Sequence, residues 1–439
     1  MKKKVLIITY YWPPASSPGV QRWVKMCKYL PEFGWQPYIL TVKNGTYPSY
    51  DESLLKDIPH EVKVYKTKTL EPFSIFNSLA GNNKKNSTVG LINLDENRSL
   101  LNKLSFYIRA NFFIPDARKW WNIFAFPHAK KLIRNEEILV VLTSGPPHST
   151  HLIGKKLKRK LGIKWIADLR DPWTSVYYNQ IFPRNKRTKR LDSRMETSVI
   201  KNADLVTVVS NGLKKIFENR SNNIEIIYNG FDADDIPKKE AFKTENFVLS
   251  YVGNFKPNQN IEIIWQAIAE ISQEIIDFKN YFQFCLTGNV DSKVYEDIKK
   301  YSIESMVQIQ GFVSHKTATN IMVESNALLF VVPNAINNQL IITGKLFEYM
   351  ASRTPIISIG PKDGDAAVIL KEAGHNELLD YDELISFKKQ LKEEYLRWIN
   401  GDKIAVKRSA KDIEKFSRYK LTKILIQYLE NMKYEQNKY

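Results

Sequence analysis

Residues 5–33 read VLIITYYWPPASSPGVQRWVKMCKYLPEF, and this stretch decides the fold. Val5-Leu6-Ile7-Ile8-Thr9 is an unbroken apolar run of strand length, without the alternation of a strand wetted on one face. A Pro/Gly/Ser loop follows over 13–19, and 20–33 predicts a helix. Strand, tight loop and helix in that order open a parallel sheet covered by helices. The alternation continues with predicted strands over 38–42, 138–143, 165–168 and 205–209 and helices over 151–161 and 192–202. A second series begins after Asn229-Gly230-Phe231-Asp232 and the charged segment 233–245, with strands over 248–252, 282–286, 327–331 and 355–359. The expected architecture is α/β, two Rossmann-like domains with parallel sheets facing a central cleft, where ligands bind at the carboxyl ends of the strands. The expected boundaries are 1–232, a linker 233–246, 247–406, and a basic C-terminal helix 407–439. The polar stretch 80–97 reads as a loop or insertion without a motif.

Composition narrows the function classes. With 439 residues, 43% apolar and 12% aromatic, the chain has material for two or three cored domains. Its two cysteines, Cys27 and Cys285, form neither a disulfide framework nor a zinc site. The six histidines show no HExxH pattern, and GxxxxGK[ST] and GxGxxG are absent, which argues against P-loop and NAD enzymes. No apolar run is long enough to span a membrane. The run after Lys2, Lys3 and Lys4 is too short, and broken too soon by Pro13 and Pro14, for a signal peptide, so a cytoplasmic location is expected. The net charge of +18 divides into +19 over residues 1–200, −6 over 201–400 and +5 over the remainder. Such asymmetry either marks an anionic partner of the first half or reflects solvated helix faces such as Lys155, Lys156, Lys158, Arg159 and Lys160.

The residues that carry chemistry begin at Thr343-Gly344-Lys345-Leu346-Phe347-Glu348-Tyr349-Met350-Ala351. Thr343 is placed to cap a helix, and Gly344 allows close backbone approach. The helix start offers N–H groups and a positive dipole end to a phosphate, and Lys345 adds a full charge. Glu348 lies on the same face one turn on, where a carboxylate can accept two hydrogen bonds from a ribose diol. The alternative is a surface helix with an ordinary Lys–Glu pair.

Together with Pro355-Ile356-Ile357, this motif resembles the nucleotide-sugar motif of retaining glycosyltransferases of family 4, which have the GT-B fold. Gly19 in the first loop, Ser144-Gly145-Pro146-Pro147-His148-Ser149, Asp168-Leu169-Arg170-Asp171-Pro172-Trp173 and Asn229-Gly230-Phe231-Asp232 stand in the order that resemblance requires. The resemblance implies that Glu348 binds the donor ribose, that Thr343, Gly344, Lys345 and Leu346 face the donor, and that Gly19 lets the first loop pass its diphosphate. Asn254 and Lys256 fall where the family places the groups that neutralise the departing diphosphate. Two departures stand out. The first Glu of the family's pair falls at Leu340, beside Gln339 and Asn338, and the family's first-domain His falls near Ser144, four residues before His148.

His148 either replaces that His or caps a helix, and Arg170 and Asp171 either touch sugars or pair to stiffen their loop. No metal or other cofactor is implied, and Asp232-Ala233-Asp234-Asp235 is read as linker despite imitating a DxD motif. Phe106, Tyr107, Phe112, Phe113, Trp120, Trp121, Phe124 and Phe126, with Arg109, Arg118 and Lys119, suit a membrane interface or lipid-linked sugar, or simply a core. The expectation is a cytoplasmic, membrane-peripheral glycosyltransferase moving a sugar from a UDP- or GDP-sugar to a lipid-linked glycan on an anionic membrane face, without a nucleic-acid partner. Its rivals are a sugar-nucleotide epimerase of the same fold and a basic nucleic-acid-binding protein.

Overall fold

The computed structural model describes the chain except residues 1, 48, 71–106, 109, 177–181, 239–241, 402, 406–411 and 433–439. Segment 80–97, Phe106 and Arg109 lie outside the described residues. The chain divides into two compact units, residues 1–228 with 418–439, and residues 229–417.

In the first unit, strands β1 (Lys3–Thr9), β2 (Trp35–Val42), β3 (Lys63–Thr67), β4 (Val140–Gly145), β5 (Lys164–Leu169), β6 (Leu205–Val208) and β7 (Ile224–Ile226) form one parallel sheet. Their order is β3-β2-β1-β4-β5-β6-β7. Both faces are covered, which is why β1 reads as an unbroken apolar run. Leu6 and Ile8 pack on one side with Tyr38, Leu40 and Trp165, while Val5 and Ile7 pack on the other with Val20, Trp23 and Val24 of helix α1 (Pro18–Tyr29). Ser17 starts α1 by accepting the Val20 N–H at 3.2 Å, and Pro18 sits where a missing N–H costs nothing. Pro31 closes the helix early, so Leu30–Phe33 forms a 3-10 turn within the predicted helix 20–33.

The helix predicted over 192–202 begins at Lys186, because the Asn185 side chain accepts the Thr188 N–H at 2.8 Å. The C-terminal helix spans Arg418–Asn431 and follows a 3-10 turn at Ile413–Phe416, a later start than the expected 407. Its Leu421, Leu425, Ile426 and Leu429 enter the same cluster as Val5 and Ile7, so the end of the chain completes the first unit.

The second unit carries a short antiparallel pair, β8 (Phe242–Lys243) with β14 (Ile404–Ala405), and a five-stranded parallel sheet. The sheet strands are β9 (Phe247–Val252), β10 (Phe282–Thr287), β11 (Val307–Gln310), β12 (Ala327–Val331) and β13 (Ile356–Ile359), ordered β11-β10-β9-β12-β13. Each sheet reverses its winding once, between β1 and β4 in the first unit and between β9 and β12 in the second. In open α/β sheets the loops leaving such a reversal form the ligand crevice.

Candidate functional site

In the second unit the reversal brings Gly253, which follows β9, beside the helix Gly344–Ser352, which follows β12. Gly253 has φ +121°, and a Cβ there would stand 2.8 Å from Lys345 Nζ. Glycine is required by both the backbone angle and the ammonium. Lys345 Nζ donates to the Tyr251 hydroxyl at 2.6 Å and lies 4.0 Å from that ring's centroid. The Tyr349 hydroxyl accepts the Val252 N–H at 2.8 Å, tying the helix to the end of β9.

Burial pulls the Lys345 ammonium down to about 7; the neighbouring Lys256 pulls the same way and Glu348 opposes both. Lys345 does not pair with Glu348. Glu348 Oε1 lies 2.9 Å from Nε2 of His315, the first residue of the helix His315–Glu324. His315 is one of the six histidines of the chain and belongs to no motif of its sequence. Its link to Glu348 spans 33 residues and depends on how the two helices pack.

Other expected donor residues sit differently from their sequence reading. Thr343 occupies the N-cap position, yet its hydroxyl makes no capping bond and is buried without a partner. Leu346 has its side chain in the core and its N–H on the Thr343 carbonyl at 3.2 Å, so it presents nothing to a ligand. Asn254 and Lys256 are exposed, and the Asn254 carbonyl accepts the Tyr251 hydroxyl at 3.1 Å. At the position of the missing first Glu, Leu340 ends a 3-10 turn. Asn338 is committed to the Tyr381 hydroxyl at 2.9 Å, leaving Gln339 as the exposed polar side chain of that turn. Asp232 accepts the Asp234 N–H and caps a 3-10 turn, a structural use of the DxD-like run.

In the first unit, the loops after β1, β4 and β5 meet around a buried carboxylate. Asp168 receives Arg22 Nη2 at 3.1 Å, the hydroxyls of Ser144 and Thr207 at 2.8 Å each, and Trp23 Nε1 at 3.1 Å. Burial alone would raise its pKa, but Arg22, Arg170 and the two hydroxyls outweigh that and hold it low. Arg170 donates to Ser144 Oγ and to the Pro146 carbonyl, both at 3.3 Å. Its guanidinium fills the space over Gly19, where a Cβ would fall 1.5 Å from Nη1. Gly19 is needed here for Arg170.

Of the two alternatives for Arg170 and Asp171, the stiffening ion pair is not formed, although the Arg170 charge still acts on the Asp171 carboxylate. Asp171 is exposed, while Arg170 turns inward to Ser144 and Pro146. The capping alternative for His148 fails as well, because Asp116 accepts the Ser149 N–H and hydroxyl at 2.8 Å each and caps that helix instead. The His148 ring stacks on Trp173 with centroids 4.8 Å apart, and both its nitrogens are buried without a hydrogen-bond partner. Burial, with His151 and Arg170 nearby, drives the His148 pKa well below the usual imidazole range. Ser144, where the family places its His, is committed to Asp168 and Trp23.

The aromatic segment divides. Trp121 is core and donates to Thr67 Oγ1 at 2.8 Å, whereas Phe112, Trp120 and Ile123 are exposed, with Phe112 at 67%. Lys119 lies over the Phe113 and Trp120 rings. Among the described residues no helix is long and apolar enough to cross a membrane, and no cluster of metal-ligating side chains occurs.

Comparison with known proteins agrees with this layout. A family model described as Glycosyltransferase Family 4 matches residues 88–235, and one described as Glycosyl transferases group 1 matches residues 246–387. No curated protein matches the chain. Among solved structures, a glycosyltransferase from Rickettsia africae superposes with a TM-score of 0.57 at 14% identity, covering 98% of this chain and 100% of that one. WaaG, a glycosyltransferase involved in lipopolysaccharide biosynthesis, gives 0.57 at 10% identity with 98% and 100% coverage. A provisionally assigned UDP-N-acetylglucosamine 2-epimerase from Listeria monocytogenes gives 0.53 at 12%, with 99% of each chain covered. With two glycosyltransferase domain models in series across its two parallel-sheet units, the chain is a glycosyltransferase of the GT-B fold.

Proposed function

We propose that the protein transfers a sugar from a UDP- or GDP-sugar to a lipid-linked glycan, with retention of anomeric configuration, in surface polysaccharide or lipopolysaccharide biosynthesis. The observation that carries this reading is Lys345 and Glu348, one turn apart at the start of a helix that leaves the reversal of the second sheet. The helix N-terminus and Lys345 suit a diphosphate, and Glu348 suits the ribose beside it. In the transfer, the acceptor oxygen bonds to the sugar's anomeric carbon as the bond to the diphosphate breaks. The electron pair leaves with the diphosphate, which also takes the acceptor's proton. Positive groups already in place at that leaving group, Lys345 with Lys256 near it, supply the main stabilisation. No metal or other cofactor enters this scheme.

On the first unit, His148, Arg170 and Asp171 are proposed to serve the transferred sugar and acceptor. The +19 charge of residues 1–200 and the exposed Phe112 and Trp120 beside Lys119 support peripheral attachment to the anionic cytoplasmic face of a membrane.

Calorimetric titration with UDP, GDP, ADP and TDP tests the donor site. One nucleotide is expected to bind selectively, and Lys345→Ala and Glu348→Ala are each expected to weaken it by roughly 10- to 100-fold, the range for charge-assisted hydrogen bonds. Binding unchanged in both variants would remove the assignment. A diphosphate binds the charged form of Lys345 and raises its pKa, so affinity is expected to be highest below pH 7. It should fall by up to about tenfold per unit as pH rises above 7, and a flat profile from pH 7 to 9 would count against Lys345 as the phosphate group. An epimerase is the second reading, favoured by the Listeria superposition. It would convert the nucleotide-sugar without any acceptor, whereas a transferase leaves the sugar unchanged until an acceptor is added.

A further inference from the structure

Resting on the donor reading above, we propose that His315 is a positioning residue that fixes the Glu348 carboxylate for the ribose of the donor. A carboxylate holds a vicinal diol well only when its plane is set in advance, because each oxygen must meet one hydroxyl. A glutamate side chain loses rotamer freedom on being held, and whatever fixes it before the ligand arrives removes that cost from binding. His315 does so from a different element. The cap of its own helix is filled by Ser314, whose Oγ accepts the Thr317 N–H at 3.2 Å. Its Nε2 meets Glu348 Oε1 at 2.9 Å, and an ionised carboxylate only accepts, so Nε2 carries the proton. The two side chains are only 16% and 13% exposed, which keeps water from competing for the bond. Lys345 is committed to Tyr251 on the other side, so the phosphate group and the ribose group of the helix are held by separate partners.

The test is titration of UDP and GDP, each beside its 2′,3′-dideoxy form, into the parent, His315→Leu, His315→Gln, Glu348→Gln and the His315→Leu/Glu348→Gln double variant. His315→Leu is expected to weaken binding of the preferred nucleotide by about 3- to 10-fold, the range for one side chain left to be ordered on binding. His315→Gln, which keeps a donor on a flexible stem, should recover most of that loss. The dideoxy nucleotide should bind equally to the parent and His315→Leu, and the double variant should be no weaker than Glu348→Gln alone. If Glu348→Gln weakens binding while His315→Leu does not, the donor site stands and the proposal falls. Equal weakening of ribo- and dideoxy-nucleotides by His315→Leu would make the residue merely structural and overturn the proposal. If neither nucleotide binds the parent, or Glu348→Gln has no effect, the donor reading fails and takes the proposal with it.

Discussion

Asp168→Ala is expected to cost about 3–5 kcal/mol of stability in the first unit, the range for breaking a buried ion pair from one side. Arg22 is 1% exposed, and its desolvation already lowers its pKa against the pull of Asp168. Without the carboxylate, the guanidinium keeps the Tyr228 carbonyl as an acceptor but has no counter-charge beside it. The hydroxyls of Ser144 and Thr207 and the Trp23 indole N–H lose an acceptor in the same step. Removing both charges in Arg22→Met/Asp168→Leu should cost less than Asp168→Ala alone, because no isolated charge stays behind. Urea unfolding of the three proteins decides this, and an Asp168→Ala variant within about 1 kcal/mol of the parent would show that the pair does not hold these loops. The consequence extends to the proposed acceptor residues. Ser144 joins Asp168 to Arg170, so the carboxylate sets where the Arg170 guanidinium lies over Gly19.

The central strands were legible because they are buried on both faces and carry continuous β-branched and apolar runs, as in β1 and β12. Of the edge strands, β13 was legible as the apolar run 355–359, whereas β3, β7 and β11 were not. β3 presents Lys63 and Lys66, β7 is three residues long, and β11 alternates Val307 and Ile309 with Gln308 and Gln310, so none forms an apolar run. Lys345 and Glu348 were legible as a candidate site because helix geometry alone relates them. Their partners Tyr251 and His315 were not, since those contacts arise only once β9 and the helix His315–Glu324 pack against the helix Gly344–Ser352. Gly19 shows the same boundary: its sequence position suggests close approach, but only the fold shows that the approaching group is Arg170.

Acidification is expected to destabilise the first unit through His151, by up to about 5 kcal/mol between pH 6.5 and 3. The residue is fully buried, and its pKa is brought down to about 3, chiefly by burial, with Asp168 opposing and Arg170 adding to the shift. The sign follows from which state binds the proton. Below 6.5 the unfolded chain protonates His151 while the folded chain does not, so the stability present above 6.5 is lost as pH falls toward 3. His148 acts in the same direction, steepening the loss. His151→Gln, which carries no titrating group and can still meet Thr143 Oγ1, should remove part of that dependence. Unfolding measured at pH 7, 5 and 4 checks it, and identical pH dependence in parent and variant would mean that His151 is solvated enough to titrate normally. The same desolvation bears on the proposed chemistry. At pH 7 both rings are neutral, so His148 can accept a hydrogen bond from a sugar hydroxyl but brings no positive charge to a departing diphosphate. In the proposed scheme that charge comes from Lys345 with Lys256 near it, and this is why the pH dependence of nucleotide binding should follow the lysine near 7 and not an imidazole.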